Sequence, residues 1–422
     1  MNRRFLLIAA CTALLLTSGC SERTVITSHE EQIEISLSWW GNDQRNEYTI
    51  EAVKLFEKHH PNIKVKCNYS EWSGYQARSD VQMVSGTEAD VMQINYAWIE
   101  QYSPDGTGFY DIQQLSEHVD LSNFTREELD YGMQNDSLNA IPIALNTQSV
   151  YINKTIYDSY GLEVPKTWED YFAAAEVMRG KVYPLAMTSK SSWFFITAYA
   201  EQVSGKQFMT MEGNLNFTAE ELRIMLEFYC RLVNEKVMPQ VEYFERLAPE
   251  DGIYAGIVAW LSDGSSYCDR AVNNGYEYIV TDYPVDSSSQ VGDGWYAKPA
   301  TMYAISRNTD HPEEAAMLLN YLLNSSEMAN LQRIEKGIPL SEAAQNYLNE
   351  HELLDGMQYV AFEKMNEYRD NLSVISPYFE NEALIAAFRD ASNAVLYGKA
   401  DAQTQAEILY ETFDDILRDA KA

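Results

Sequence analysis

The sequence predicts an α/β fold that opens with parallel strands joined by helices. Apolar and polar residues alternate from Ile33 to Trp39 and again from Ile63 to Tyr69, which is the period-two pattern of a strand. Val91 to Ile94 is a short apolar run typical of a buried parallel strand. Helical patterns separate these three segments, so residues 33–94 predict a β-α-β-α-β unit of an open sheet.

The helices of this unit have recognisable stop signals. The first ends before Pro61, and Gly86 is placed to act as the C-terminal cap of the second. Thr167 is predicted to cap a later helix that begins at Trp168, and we assign Trp168 a structural role. Further predicted helical segments are residues 218–236, 313–324, 342–349 and much of 357–417.

Composition and charge argue against a polyanionic partner such as a nucleic acid. The 422-residue chain has 63 acidic residues against 31 Lys and Arg, a net charge of −32, and no run of basic residues. A nucleic-acid-binding face must neutralise phosphates, so we expect no nucleic-acid partner. The 8 Trp, 29 Tyr and 15 Phe supply ample apolar surface for two or three packed domains.

The first 20 residues have the pattern of a secretory signal peptide followed by a cysteine. Two arginines precede an apolar run over residues 5–16, and small residues lead to Cys20. This junction resembles a bacterial lipobox, with Thr17 where leucine is usual, and ordinary secretion is the alternative. We predict a signal peptide at 1–19 and a lipidated tether at 20–32, with a lipid such as palmitate on Cys20 holding the protein on the extracytoplasmic face of the cell membrane.

Aromatic and amide residues follow each of the three predicted strands. Open α/β sheets bind ligands beyond the carboxyl ends of their strands, so these positions predict a binding site. Trp39 or Trp98 can be a core residue, but no shared structural demand explains all three groups. The groups are Trp39-Trp40-Gly41-Asn42-Asp43, Tyr69-Ser70-Glu71-Trp72-Ser73-Gly74-Tyr75 and Asn95-Tyr96-Ala97-Trp98.

Further segments carry a family resemblance that covers essentially all of residues 33–422. Ser85–Val91 is similar to an SGxxPDV turn, with Ala89 in place of proline. The others are IPIALNTQSVYINKTIYDSYGLEVPKTW at 141–168, AGIVAW at 255–260, a strand with an HPEEA-type helix at 302–323, and GIPL at 337–340. In this order they resemble the extracellular solute-binding proteins of bacterial carbohydrate ABC transporters.

The resemblance implies a fold and its division into domains. It implies a two-lobed periplasmic-binding-protein (Venus flytrap) fold, in which each lobe is an open sheet flanked by helices and a ligand cleft lies between the lobes. Lobe 1 would comprise residues 33–145 plus 302–336, and lobe 2 residues 146–301 plus 337–422. Hinge strands are implied near 143–148, 298–304 and 336–340.

The same resemblance implies a set of cleft residues. A sugar stacks its C–H face on an aromatic ring, and its hydroxyls need both donors and acceptors, which asparagine and carboxylate side chains supply. The strongest single expectation is Trp260, which follows a strand of small residues. The implied ligand-binding residues are Trp39, Trp40, Asn42, Asn95, Tyr96, Asn146, Trp193, Trp260 and Trp295, with Trp72, Tyr75, Asp263, Tyr296 and Tyr378 as more variable positions.

Catalytic and metal motifs are absent from the sequence. It contains no HExxH, GxSxG or Walker-type loop, and its cysteines have no CxxC spacing. We therefore expect a binding protein and not an enzyme, with no metal or cofactor. Its expected partners are a carbohydrate, in particular an oligosaccharide, and the permease subunits of an ABC importer, with the protein itself a monomer.

Two alternatives remain open at this point. One is a binding protein for another ligand, above all a polyamine, because carboxylates and aromatic rings also cage cations. A cleft in which carboxylates outnumber amides would favour this alternative. The other is a surface enzyme that acts on glycans.

Overall fold

The computed structural model describes residues 32–246, 252–261, 268, 272–285, 294–368 and 373–421. The predicted signal peptide, Cys20 and nearly all of the predicted tether lie outside the described residues, as does Asp263. In the part of the chain that is described, no helix is long and apolar enough to cross a membrane.

The strands form one large mixed sheet and one small hairpin. In chain order they are β1 (Ile33–Trp40), β2 (Ile63–Ser70), β3 (Val91–Ile94), β4 (Met133–Gln134), β5 (Ser137–Leu138), β6 (Ala140–Asn153), β7 (Ala186–Met187), β8 (Gly256–Trp260), β9 (Tyr278–Thr281), β10 (Tyr296–Ile305) and β11 (Ser373–Val374). Over the described residues the large sheet has the order β2-β1-β3-β10-β6-β8-β7, with β9 against β6 and β11 against β10. Strands β4 and β5 pair separately.

Helices cover both faces of the large sheet. In chain order they are α1 (Asp43–His59), α2 (Tyr75–Ser85), α3 (Trp98–Tyr102), α4 (Arg126–Asp130), α5 (Lys154–Ser159), α6 (Trp168–Met178), α7 (Ser189–Ser204), α8 (Ala219–Asn234), α9 (Val241–Arg246), α10 (Pro312–Asn324), α11 (Ser326–Gln332), α12 (Glu342–Glu350), α13 (Gly356–Asn366), α14 (Glu382–Leu396) and α15 (Ala402–Ala420). Two short 3₁₀ turns lie at Ile112–Leu115 and Leu121–Asn123.

The opening β-α-β-α-β unit is confirmed. Strand β1 pairs in parallel with both β2 and β3, as the crossover helices α1 and α2 require. Gly86 caps α2 at φ +64°, and its N–H donates to the carbonyl of Gln82. Thr167 caps α6 in a reciprocal pair with Asp170, so this local prediction is also confirmed.

Two long strands connect the two parts of the sheet. The first part of β6 pairs with β10, from Ala140 to Thr147, and its second part pairs with β8 and β9. We use lobe 1 for the part of the fold around β1–β3 and lobe 2 for the part around β7–β9. The fold is therefore two-lobed, with β6 and β10 passing between the lobes. The lobe boundaries given above stay a prediction.

The three segments implied as hinges lie side by side. The pairing of β10 with β6 shifts register between Pro299 and Thr301, because proline has no N–H to donate to the ladder. The Leu340 N–H donates to the carbonyl of Ile143 at 2.9 Å. Gly337 has φ +102°, and a Cβ there would lie 2.8 Å from the Ala144 side chain, so a glycine is needed for this close approach. Their flexing as hinges stays a prediction.

Candidate functional site

A cavity of about 690 Å³ lies between the lobes. Lobe 1 contributes the residues that follow β2 and β3, which places the carboxyl ends of these parallel strands at one wall. Lobe 2 contributes the start of α7, the segment before α14 and the C-terminal end of α15, and β10 contributes Lys298. The lining residues are Trp72, Gln76, Asn95, Ala97, Trp98, Glu100, Gln101, Pro104, Lys190, Lys298, Pro377, Tyr378, Glu380, Asn381, Glu382, Ala420 and Lys421.

An aromatic platform forms the lobe 1 wall. Trp72 is 49% exposed, whereas Trp40 and Trp98 are buried. The Trp72 ring stacks on Trp98, with centroids 5.6 Å apart and an interplanar angle of 10°, and meets Trp40 edge-on at 5.1 Å. Because one face of Trp72 is packed on buried rings, its orientation is held and it offers a supported apolar surface to the cavity.

Tyr75 fixes this platform to the sheet. Its ring stacks on Trp98 at 6.0 Å, and it is 1% exposed. Burial raises the pKa of Tyr75 to about 12, so the hydroxyl stays protonated at neutral pH. The hydroxyl oxygen lies 3.1 Å from the Ser38 hydroxyl and 3.2 Å from the Gln93 carbonyl, and it donates its proton to these acceptors. Tyr75 is therefore a support of the platform and lies away from the cavity surface.

A cluster of ion pairs forms the opposite side. Lys298 forms an ion pair with Glu380, and Lys190 Nζ lies 3.5 Å from Glu380 and 3.1 Å from Glu382. Burial alone would raise the pKa of Glu380, but Lys298 and Lys190 hold that pKa below its ordinary value. Burial opposes the charge of Lys190, yet Glu380 and Glu382 raise its pKa. Glu380 and Lys190 are therefore both charged at neutral pH.

Amide side chains are a further set of polar groups in the described lining of the cavity. Asn95 uses its Oδ1 to accept the Ala97 N–H at 3.0 Å, which orients its amide at the end of β3. Counted over the described lining, four amides stand against three carboxylates. The amides are Gln76, Asn95, Gln101 and Asn381. Such groups donate and accept hydrogen bonds on one plane, as sugar hydroxyls require.

Three tryptophans implied as cleft residues lie in the core instead. Trp39, Trp193 and Trp295 are each 0% exposed. The Trp39 indole donates to Asn46 at 3.0 Å, and the Trp193 indole donates to the Phe379 carbonyl at 3.0 Å. Trp295 stacks on Tyr368 with ring centroids 5.4 Å apart. In this structure the three indoles are therefore packed in the core and do not line the cavity, and their contact with a ligand stays a prediction.

Other implied residues have structural partners. Asn42 caps α1 by accepting the Arg45 N–H at 2.9 Å. Tyr96 is 6% exposed against Tyr131, and Tyr296 is 4% exposed with its hydroxyl donating to Glu201 at 2.5 Å. None of these three lines the cavity among the described residues.

Trp260 and Asn146 both lie beside Lys298, which lines the cavity. Trp260 is half-buried, and its ring centroid lies 4.7 Å from Lys298 Nζ. Asn146 is the partner of Lys298 in the β6–β10 pairing. Of the predicted site residues, Trp72, Asn95 and Tyr378 line the cavity, and Trp40 supports the Trp72 ring. Trp260 and Asn146 lie at the edge of the cavity.

Several lining residues were not among the predicted site residues. Trp98 stands in the third strand-end group, so the strand-end signal could have included it. Lys298 lies within a predicted hinge strand. Lys190 and Glu380 had no sequence signal, because they are 190 residues apart and meet only through the tertiary fold.

A second cavity, of about 580 Å³, is a weaker candidate. It lies against β1 and β2 beside α2, with Arg78, Tyr69 and Asp90 among its lining. Its lining, counted over the residues that the structure describes, belongs to lobe 1 and includes no tryptophan. The cavity between the lobes joins two walls of different chemistry, so we take it as the candidate binding site.

The chain belongs to the bacterial extracellular solute-binding protein family, whose sequence pattern matches residues 41–329, more than half of the chain. Among curated relatives, the chain is 25% identical over 190 residues to the multiple sugar-binding protein of Streptococcus mutans. The aligned region is 44% of this chain and 43% of that protein. The chain spans about half the length of the curated relatives it matches.

Solved structures extend the similarity over nearly the whole fold. A periplasmic oligogalacturonide binding protein from Yersinia enterocolitica, in complex with saturated digalacturonic acid, is 31% identical with a TM-score of 0.81 over 92% of this chain and 100% of that chain. A de novo designed cysteine esterase is 31% identical with a TM-score of 0.85 over 94% of this chain and 100% of that chain. The α/β periplasmic-binding-protein fold expected from the sequence is therefore confirmed.

Proposed function

We propose that this protein captures a sugar, in the form of an oligosaccharide, in the cavity between its lobes and delivers it to the permease subunits of an ABC importer. The Trp72 platform facing a cavity of about 690 Å³ is the observation that carries this proposal. Ligand pockets are commonly about 300–1,000 Å³ and combine apolar surface with a few polar groups. The proposal is supported by the similarity to the multiple sugar-binding protein of Streptococcus and to the oligogalacturonide binding protein of Yersinia.

The cavity chemistry favours a sugar over a polyamine. A polyamine site needs an excess of carboxylates, but in the described lining amides outnumber carboxylates. Glu380 and Glu382 are already paired with lysines. These lysines would repel a cationic ligand.

The described thiols do not favour covalent catalysis. Cys67, Cys230 and Cys268 do not line the cavity. Burial raises the pKa of Cys67 and of Cys230 to about 11, whereas a nucleophilic thiol has a depressed pKa. We therefore propose binding without turnover, and hydrolysis of any sugar that binds would contradict this.

Replacing Trp72 by alanine should weaken sugar binding without unfolding the protein. Loss of a supported stacking face should lower affinity by about 10- to 100-fold. Because the ring is 49% exposed, its removal leaves no closed cavity and should change the melting temperature little. Titration calorimetry against a panel of neutral and acidic oligosaccharides, with thermal melting of each variant, measures both quantities.

Tyr410→Ala is the matched control for this test. Tyr410 is 40% exposed on α15 and does not line the cavity, so its replacement should leave sugar affinity unchanged. Trp72→Phe should retain part of the affinity because a smaller aromatic face remains. Normal affinity in Trp72→Ala would remove the platform from the site, and failure of the whole panel to bind wild type would overturn the proposed function.

We also propose that a lipid on Cys20 holds the protein, as a monomer, on the extracytoplasmic face of the membrane. Cys20→Ala should move the protein from the membrane fraction to the soluble fraction after a carbonate wash, because the acyl chains supply the anchor. Cys11→Ala, within the predicted apolar segment, should stay in the membrane fraction. A Cys20→Ala protein that remains membrane-bound would contradict the anchor.

A further inference from the structure

The lysines in the cavity stand out in a strongly acidic protein. The chain carries a net charge of −32. In the described lining, however, Lys190, Lys298 and Lys421 balance three glutamates, Glu100, Glu380 and Glu382. The cavity is thus locally neutral, so a negatively charged ligand meets far less repulsion there than over the rest of the surface.

Two of these lysines converge on one shielded carboxylate. The side chains of Lys298 and Glu380 are 12% and 13% exposed, and that of Lys190 is 34% exposed. Glu382 also contacts Lys190, but it is 82% exposed. Water screens such an exposed charge strongly, so its contribution to the cluster is small.

The shielded part of the cluster therefore has two ammonium groups for one carboxylate. Each ammonium has three N–H donors, and Glu380 accepts from both groups with its two oxygens. A second carboxylate at this place would balance the remaining positive charge. Carboxylate–ammonium hydrogen bonds are among the stronger ones in proteins.

We propose that the ligand of this cavity is an acidic sugar and that Lys298 and Lys190 bind its carboxylate. This inference rests on the proposed sugar-binding function. A uronic acid ring has a C–H face, which suits the Trp72 platform, and a carboxylate, which suits the lysine pair. Glu380 then acts as an internal competitor that holds the two ammonium groups in place and weakens binding of the ligand carboxylate.

The test compares uronate oligosaccharides with their own methyl esters. The ester keeps the sugar skeleton and removes the charge. Oligomers of two to four galacturonate, glucuronate or mannuronate units, their methyl esters, and neutral hexose and pentose oligosaccharides are titrated against the full-length protein. We expect at least one uronate to bind about tenfold or more tightly than its ester, the effect of a hydrogen bond to a charged group.

Substitution of the lysines then tests whether the preference for uronates over their esters depends on Lys298 and Lys190. Lys298→Met should remove most of the uronate preference and change affinity for the ester by no more than about threefold relative to wild type. Lys298→Arg should keep the uronate preference, because the positive charge remains. Lys190→Met should reduce it less, because Lys190 is more exposed. Lys54→Met, a 65% exposed lysine away from the cavity, is the control and should change neither affinity.

Glu380→Gln gives a change of the opposite sign. It removes the competing carboxylate, so the ratio of uronate affinity to ester affinity should increase by about fivefold or more. Glu51→Gln, at a 49% exposed glutamate that does not line the cavity, is the control and should leave uronate affinity unchanged. The melting temperature of each variant shows that the protein tested is folded.

The outcomes separate this inference from the proposed function. Tight binding of neutral sugars with no uronate preference overturns the acidic-sugar inference and leaves the proposed function in place. A uronate preference that persists in both Lys298→Met and Lys190→Met overturns the assignment to this lysine pair. Failure of every uronate, ester and neutral sugar to bind overturns both.

Discussion

Replacing Trp193 by alanine is expected to lower the free energy of unfolding by about 3–5 kcal/mol, the usual cost of truncating a buried tryptophan. Trp193 is 0% exposed in α7 and packs in the core of lobe 2. Its ring contacts Phe208, Phe379, Phe388 and Phe413, with centroids 5.0 to 5.8 Å away. The substitution leaves a void among rings that cannot all move in to fill it. Urea denaturation measures the loss.

Trp193→Phe separates packing from hydrogen bonding. It keeps an aromatic ring but loses the N–H that donates to the Phe379 carbonyl, so we expect a smaller loss of about 1–3 kcal/mol. Sugar affinity of the folded alanine variant should fall less than that of Trp72→Ala, because Trp193 does not line the cavity. An alanine variant as stable as wild type that no longer binds sugar would place Trp193 at the ligand after all.

Lys336→Met is expected to stabilise the protein in a pH-dependent way. Lys336 is 3% exposed at the start of the predicted hinge segment 336–340, and its Nζ donates to the Tyr303 hydroxyl at 2.9 Å. Burial, together with the nearby charge of Arg45, lowers the pKa of Lys336 to about 7, while Glu335 opposes this shift. Tyr48 and Tyr303 are the other titratable groups that face it, and burial raises the pKa of both.

The sign of the pH dependence follows from proton binding. Between about pH 7 and pH 10.4 the unfolded state carries a proton on Lys336 and the folded state does not, so stability rises with pH across this window. Below pH 7 both states are protonated and the cost of burying the charge is fully present. The wild type should therefore gain about 3 kcal/mol from this residue between pH 6 and pH 9.5.

Methionine removes this contribution because it has no charge to bury. Lys336→Met should be more stable than wild type at pH 6, by about 1–3 kcal/mol, and this advantage should vanish near pH 9.5. Urea denaturation at pH 6, 8 and 9.5 measures it, with the exposed Lys54→Met as a control that should show no such change. Equal destabilisation by Lys336→Met at pH 6 and pH 9.5 would contradict the prediction.

Local signals predicted the local elements well. The alternation in β1 corresponds to buried Ile35, Leu37 and Trp39, and the stop signal at Gly86 is a left-handed cap. These features depend on residues a few positions apart, so one sequence contains all the information they need. The family resemblance then predicted the two-lobed fold and the membership in a solute-binding family, which the comparisons confirm.

The choice among tryptophans could not be made from the sequence. In α7 the consecutive residues Trp193, Phe194 and Phe195 are all buried, so this part of the helix is buried on every side. Such a helix has no amphipathic period that would say which ring faces the core and which faces a cavity. The strand-end groups were more informative, because the carboxyl end of a parallel strand has a defined place in the fold.

By itself the sequence determined the opening strands β1–β3 with helices α1 and α2, the acidic character of the chain and the strand ends at which we propose the site. The tertiary structure alone decided that Trp72 is the supported, exposed ring and that Lys190, Lys298 and Glu380 form one cluster. Element formation depends on neighbours in the chain, whereas the site depends on contacts between residues 82 to 190 positions apart, such as Lys298–Glu380 and Lys190–Glu380. Those contacts exist because β10 and the segment before α14 bring the two lobes together around one cavity.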